Sequence, residues 1–165
     1  MTVSTDRIEK QLVLSAPQER VWRAISDAKQ FGSWFGMDLN GTFATGAHVT
    51  GKIKPTTVDA EVAKMQEKYA GTPVSFFVER VEPMRVLSFR WHPFALDPAV
   101  DYSKEPMTTV TFTLEPAEGG TKLTVVESGF DAIPIDRRVD AFEANEEGWS
   151  MIVQLVEKYI LLPQS

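Results

Sequence analysis

The sequence predicts an α+β fold in which an antiparallel sheet packs against one long C-terminal helix. After a first strand and two short helices, segments in which polar and apolar residues alternate follow over most of the chain. Such alternation is typical of antiparallel strands with one covered and one solvent-facing side. Residues 135–162 instead place apolar side chains three and four positions apart, the spacing of one helix face. Since no other element is as long, this helix is expected to cover the sheet.

The N-terminal part of the chain predicts a strand, two short helices and a hairpin. Residues 8–14 alternate, and Pro17 then begins a short amphipathic helix over residues 19–25. A second short apolar segment lies at residues 31–35, and residues 39–53 predict two short strands. Six or seven strands are therefore expected in the complete sheet.

Residues 54–73 interrupt the strand pattern and predict an inserted helix of about three turns. The apolar residues with helical spacing in this segment are Val58, Val62, Met65 and Tyr69. Thr56 or Thr57 is expected to cap the start of this helix. We expect it to pack on the sheet or over an opening.

Four further strands are predicted, at residues 75–81, 86–92, 109–114 and 121–128. The first of them has two possible registers, because either Phe76 with Val78 or Phe77 with Val81 could face the core. The sequence leaves both registers open.

The segment 92–107 contains three prolines and predicts a long loop without regular structure. Loops of this length are commonly functional or poorly ordered. Asp97, Asp101 and Tyr102 could line the mouth of a cavity, although local hydrogen bonds would explain them equally well. His92 has no partner that the sequence identifies, so no general-base role is assigned to it.

The apolar stripe of the C-terminal helix comprises Ile135, Val139, Phe142, Trp149, Val153, Val156 and Ile160. Glu146 stands where a leucine would continue the stripe, and Gly148 follows two residues later. Glycine in a helix costs about 1 kcal/mol relative to alanine. We therefore expect a packing or cavity reason for this interruption.

The composition excludes several functional classes. A net charge of −6 with scattered basic residues argues against nucleic-acid binding. Without cysteine, the chain offers no iron–sulfur cluster or thiolate zinc site, and its two histidines, His48 and His92, lack metal-ligand spacing. No apolar stretch is long enough for a membrane span, and the polar N-terminus is unlike a secretory signal. We therefore predict no cofactor, metal, nucleic acid or membrane partner, and the reducing cytoplasm as location.

The 165 residues are enough to bury one core, so we expect a single domain over residues 1–165. Within it, residues 1–7 are expected to be a flexible N-terminus and residues 54–73 an insertion.

Several short motifs carry a resemblance to a known family. They are Ala16-Pro17, Val21-Trp22, Trp34-Phe35, Phe89-Arg90-Trp91-His92-Pro93, Gly119-Gly120-Thr121, Glu127-Ser128-Gly129-Phe130 and Gly148-Trp149. The chain resembles the SRPBCC superfamily of START and birch-pollen-allergen helix-grip proteins. Within it, the chain is similar to the bacterial branch named after the activator of the ninety-kilodalton heat-shock chaperone ATPase. The resemblance implies a seven-stranded sheet gripping the C-terminal helix around a cavity for apolar or aromatic molecules.

The predicted cavity residues combine inward aromatic and aliphatic side chains with two acids. They are Trp34, Phe35, Phe89, Trp91, Val110, Phe112, Glu127, Phe142, Glu146, Trp149 and Val153. Both acids fall on otherwise apolar faces, where a carboxylate needs a partner or stays protonated. They could form the polar end of a ligand cavity. Alternatively, Glu146 is solvated at a gap and Glu127 pairs with Lys10 or Arg90. The aromatic residues could likewise be plain core.

The leading interpretation is binding of a small hydrophobic or aromatic molecule between sheet and helix, with no catalytic residue assigned. One alternative is an accessory module for a heat-shock chaperone. A second is a cavity enzyme, a cyclase or hydrolase, with Glu127 or Glu146 as acid or base. A monomer or a homodimer is compatible with each of these functions.

Overall fold

A computed structural model of the chain describes residues 7–92 and 104–162. Seven antiparallel strands form one sheet in the order β1-β7-β6-β5-β4-β3-β2. The strands are β1 (Arg7–Leu14), β2 (Met37–Asn40), β3 (His48–Ile53), β4 (Pro73–Glu82), β5 (Val86–Trp91), β6 (Thr108–Ala117) and β7 (Gly120–Ser128). The helices are α1 (Gln18–Ser26), α2 (Ala28–Phe35), α3 (Ala60–Gln66) and α4 (Ile135–Leu161). The predicted α+β helix-grip architecture is confirmed. The predictions for Asp97, Asp101, Tyr102 and residues 1–6 concern positions outside the described ranges.

Helices α1 and α2, together with α4, pack on the sheet and cover one of its faces. The Asp27 carboxylate accepts hydrogen bonds from two backbone N–H groups at the start of α2, and Gly36 ends the helix at a φ of 105°. Phe31 and Trp34 of α2 are fully buried, and the Trp34 indole donates to the Ala24 carbonyl at 2.8 Å. The length of α4 therefore predicted only part of the cover, because α1 and α2 also contribute to it.

The insertion forms a helix that is shorter than predicted. Helix α3 spans Ala60–Gln66 and continues as one 3-10 turn, Glu67–Tyr69. Asp59, rather than a threonine, caps α3 by accepting from two backbone N–H groups. The Thr56 hydroxyl instead donates to the Trp34 carbonyl at 2.8 Å, which ties the insertion to the end of α2.

The register of β4 places Phe76 and Val78 in the core and leaves Phe77 36% exposed. A bulge between Val78 and Arg80 then shifts the pairing with β5. A bulge inserts one unpaired residue and so breaks the strict alternation of faces. The sequence therefore left two registers open in this strand.

The buried face of α4 differs from the predicted stripe in its first two turns. Ile135 is 70% exposed and Val139 is 52% exposed, whereas Ala141 and Trp149 are buried. Ala141 follows Val139 by two positions, which corresponds to about 200° around a helix with 3.6 residues per turn. The helix therefore packs along Ala141 and Trp149, and Asn145 lies midway between them.

Arg20 joins α1 to the last turn of α4. Its side chain is buried, donates to the Tyr159 carbonyl at 3.3 Å, and lies 4.9 Å from the centre of the Tyr159 ring. A cation at a helix C-terminus is stabilised by the helix dipole, and its contact with the ring adds a cation–π interaction. These contacts hold the two helices together on the sheet.

Candidate functional site

The candidate site is centred on Glu127 of β7, whose side chain is fully buried. Its Oε2 accepts hydrogen bonds from Trp91 Nε1 at 2.7 Å and Thr108 Oγ1 at 2.5 Å. Its Oε1 accepts from Asn145 Nδ2 and Trp149 Nε1, both at 2.8 Å. A carboxylate offers about four lone-pair sites, so its hydrogen-bonding capacity is filled. These five residues are called the Glu127 cluster below.

The sheet register explains how the Glu127 cluster assembles. Glu127 lies opposite Ile8 on β1 and opposite Val110 on β6, and both neighbours are buried. Trp91 and Thr108 are direct cross-strand partners on β5 and β6. Directly opposed side chains on one face of an antiparallel pair are close enough to act together. One carboxylate thus links three adjacent strands to the middle of α4.

Four aromatic rings fill the space beside the Glu127 cluster. The Trp91 and Trp149 rings lie 5.9 Å apart with an angle of 33° between their planes. Phe35 lies 6.0 Å from Trp91 and 5.9 Å from Trp149, and Phe112 lies 5.9 Å from Trp149. Trp91 is half-buried, whereas the other three are buried. These four residues are called the aromatic group.

Five of the remaining predicted cavity residues occupy two different environments. Trp34, Phe89 and Val110 are fully buried in the core. Phe142 and Val153 are half-buried on α4, and the Phe142 ring lies 5.3 Å from that of Phe130.

Glu146 forms an ion pair with Lys10, and its side chain is 45% exposed. Arg90 pairs with Glu79 at 2.6 Å. The alternative in which Lys10 or Arg90 neutralises Glu127 was therefore wrong.

Two members of the Glu127 cluster, Thr108 and Asn145, were missed by sequence reasoning. Asn145 precedes Trp149 by four positions, the spacing that places two side chains on one helix face. No prediction was made for Asn145, because a polar residue is usually found at the protein surface. Thr108 stands at the start of a strand whose threonines otherwise face outward, so alternation alone could have identified it.

Beside this site, a hydrogen bond joins His92 to Glu105. These two residues stand on either side of residues 93–103, which lie outside the described ranges. The His92 Nε2 atom donates to the Glu105 carbonyl at 3.2 Å, and the Glu105 carboxylate binds Arg137 of α4 at 2.6 Å. Burial lowers the pKa of His92, Arg137 acts in the same direction, and Glu105 opposes them. These interactions anchor the end of β5 and the start of β6 to the first turn of α4.

Two surface clefts lie away from the Glu127 cluster. They have volumes of about 250 and 480 Å³, and share Asp38, Lys54 and Pro55 as lining residues. None of the predicted cavity residues lines either cleft. In the described ranges, 7–92 and 104–162, no helix has the length and apolar character needed to cross a membrane.

Residues 15–160 match the protein-family model described as Activator of Hsp90 ATPase homolog 1-like protein. The chain belongs to this family. The match covers all of the elements from α1 to the last turn of α4. No curated protein matches the chain.

Solved structures share the fold at low sequence identity. Protein MLL2253 from Mesorhizobium loti is 25% identical with a TM-score of 0.68, over 93% of this chain and 96% of that protein. The Aha1 dimer from Colwellia psychrerythraea is 14% identical with a TM-score of 0.68, over 96% and 98% of the two chains. DynU16, a protein of the dynemicin biosynthetic locus, is 24% identical with a TM-score of 0.65, over 94% of this chain and 47% of that one.

Proposed function

We propose that this member of the family binds a small apolar or aromatic molecule between the sheet and α4. The observation that carries the proposal is the aromatic group, which brings two indole rings and two phenyl rings together beside a buried carboxylate. Ligand sites in proteins are lined mainly by apolar and aromatic side chains with a few fixed polar groups. The expected contribution to affinity is burial of the ligand's apolar surface.

The Glu127 cluster would hold the two tryptophans in place rather than bind the ligand directly. All acceptor positions of the carboxylate are taken by its four donors. Glu146 is paired with Lys10. We therefore assign neither acid a proton-transfer role, and the ligand would contact ring faces.

The position at which a ligand would first contact the aromatic group is Trp91. Each of the four rings lies within 6.0 Å of another ring of the group, centroid to centroid, so a ligand that enters between them would displace at least one ring. Trp91 is the half-buried member and lies at the end of β5. Exposed aromatic surface of this kind gains most from contact with an apolar molecule.

The test measures binding of N-phenyl-1-naphthylamine, an uncharged aromatic probe, by its fluorescence. The native protein is expected to bind it, and Trp91→Ala is expected to weaken binding about tenfold, which corresponds to ~1.4 kcal/mol. Trp22→Ala is the matched control, because Trp22 is a half-buried tryptophan on α1 outside the aromatic group. Equal affinity of all three proteins, or no binding by the native protein, would contradict the proposal.

A second candidate function is contact with a heat-shock chaperone, which the family description favours. Ile135 and Val139 lie one turn apart at the start of α4 and are both more than half exposed. Exposed apolar side chains that lie together are typical of protein contacts. If this function is correct, the chain raises the ATPase rate of Hsp90, and Ile135→Ser with Val139→Ser abolishes the effect. Leu161→Ser, an exposed leucine at the other end of α4, is the control.

A further inference from the structure

We propose that the bound molecule carries an ammonium group, and that this cation lies against the indole faces of Trp91 and Trp149. The inference rests on the proposed function and names the chemical class of its ligand. It follows from three features of the site. They are the buried carboxylate of Glu127, the hydrogen bonds that both indoles donate to it, and the absence of a free acceptor position on it.

Each oxygen of the buried Glu127 side chain accepts two hydrogen bonds, which is the arrangement expected of a carboxylate. All four donors, two indoles, a hydroxyl and a carboxamide, are uncharged. Lys10 lies two positions along β1 from the residue opposite Glu127, and it pairs with Glu146 instead. Buried charges in proteins are generally paired, because removing an ion from water is costly. A cationic ligand would supply the missing charge.

The two indoles provide the surface on which a cation can bind. Both N–H groups point at the Glu127 carboxylate, at 2.7 and 2.8 Å. An aromatic face is the negative part of the ring quadrupole, and tryptophan is the strongest aromatic partner for a cation. Donation to an anion draws electron density into the rings and makes their faces more negative. The two ring planes are tilted by 33° and their centroids lie 5.9 Å apart, so the rings must separate for a cation to contact both faces.

The filled acceptor positions specify which kind of ammonium group fits. A primary amine seeks acceptors for its N–H groups, but Glu127 has no lone-pair site left. A quaternary or tertiary ammonium group places methyl or methylene groups against the rings and needs few acceptors or none. The net charge of −6 also favours the approach of cations. We therefore expect a methylated ammonium group attached to an apolar or aromatic body.

The decisive experiment compares two molecules of almost identical shape, (4-hydroxyphenyl)trimethylammonium and 4-tert-butylphenol. Binding is followed by the indole N–H signals of Trp91 and Trp149 in NMR spectra at physiological ionic strength. The native protein is expected to bind the cation about tenfold more tightly than the neutral isostere. Equal or tighter binding of the neutral isostere overturns this inference and leaves the proposed function standing. Binding of neither molecule overturns this inference, and the proposed function is then decided by the measurement with N-phenyl-1-naphthylamine.

Two variants show whether the preference comes from Glu127. Glu127→Gln removes the charge at nearly constant size and is expected to reduce the preference to less than about threefold. Glu157→Gln removes one charge from an exposed position on α4 and is expected to retain it. An equal loss in both variants would assign the preference to the overall charge and overturn the inference. If Glu127→Gln does not fold, Trp91→Phe decides instead, since a weaker aromatic face must also lower the preference.

Discussion

Glu127 and Glu146 are two carboxylates near the middle of α4 that the structure places in opposite environments. Glu127 is fully buried and surrounded by four uncharged donors. Glu146 is 45% exposed and paired with Lys10. Their sequence surroundings are alike, since each interrupts an otherwise apolar face.

The two acids differ in what stabilises the carboxylate. At Glu146, solvent and one ammonium group stabilise the charge, and exposed ion pairs of this kind contribute little to folding. At Glu127, hydrogen bonds from two strands and one helix replace solvent. Loss of any of these partners leaves a buried polar group unpaired. Substitutions around Glu127 should therefore have large effects, and those at Glu146 small ones.

The largest effect is expected for Glu127→Leu. The substitution removes the acceptor for two indole N–H groups, a hydroxyl and an amide, and should lower the free energy of unfolding by about 3 kcal/mol. Chemical denaturation followed by tryptophan fluorescence measures this loss. Glu115→Leu, at an exposed position on β6, serves as the control and should change stability by less than about 0.5 kcal/mol. A comparable effect of both substitutions would contradict the role given to the Glu127 cluster.

A smaller loss is expected for Asn145→Leu, although this substitution makes the buried face of α4 more continuously apolar. Leucine cannot donate to Glu127 Oε1, and an unsatisfied charged acceptor costs about 2 kcal/mol. Thermal unfolding monitored by circular dichroism tests the prediction. The same change at the exposed Ser150, Ser150→Leu, controls for the helix propensity of leucine. An increase in stability would mean that apolar packing dominates at position 145.

The strands and the helix order could be predicted from the sequence because they depend on local spacing. Alternation predicted the strands of the sheet, and a bulge between Val78 and Arg80 hid the register of only one of them. The start of α4 was predicted less well. Helical spacing identifies residues that share a face of the helix, but it does not show which face packs against the sheet. Ile135 and Val139 fit a helical spacing and are nevertheless exposed.

The Glu127 cluster could be predicted only in part because its contacts are remote in sequence. Glu127 and both tryptophans were predicted as inward residues, but their hydrogen bonds join positions 36 and 22 residues apart. Thr108 and Asn145 lie 19 and 18 residues from Glu127. Which polar side chain meets which acid depends on sheet register and helix rotation together, and neither is encoded in a local pattern.

Gly148→Ala should have an effect of opposite sign on the same segment of α4. Among the described residues outside its own helical turn and chain neighbours, no heavy atom lies within 4 Å of the position that a Cβ would occupy. Packing therefore does not require glycine at this position. Alanine should raise the free energy of unfolding by about 1 kcal/mol. Urea denaturation measures the gain. A loss of stability would indicate a constraint on this turn that contacts do not explain.

The smallest effect is expected for Glu146→Gln, which removes the charge that pairs with Lys10. Because the Glu146 side chain is 45% exposed, water already stabilises both ions, and the pair should contribute about 0.5 kcal/mol or less. Whatever it contributes should decline as salt is added, since exposed charges are screened. A double-mutant cycle with Lys10→Met at low and high salt isolates the coupling between the two side chains. A coupling above about 2 kcal/mol that persists at high salt would show that Glu146 behaves like Glu127, and the contrast between the two acids would then fail. A coupling near zero would leave Glu127 as the acid on which the middle of α4 depends.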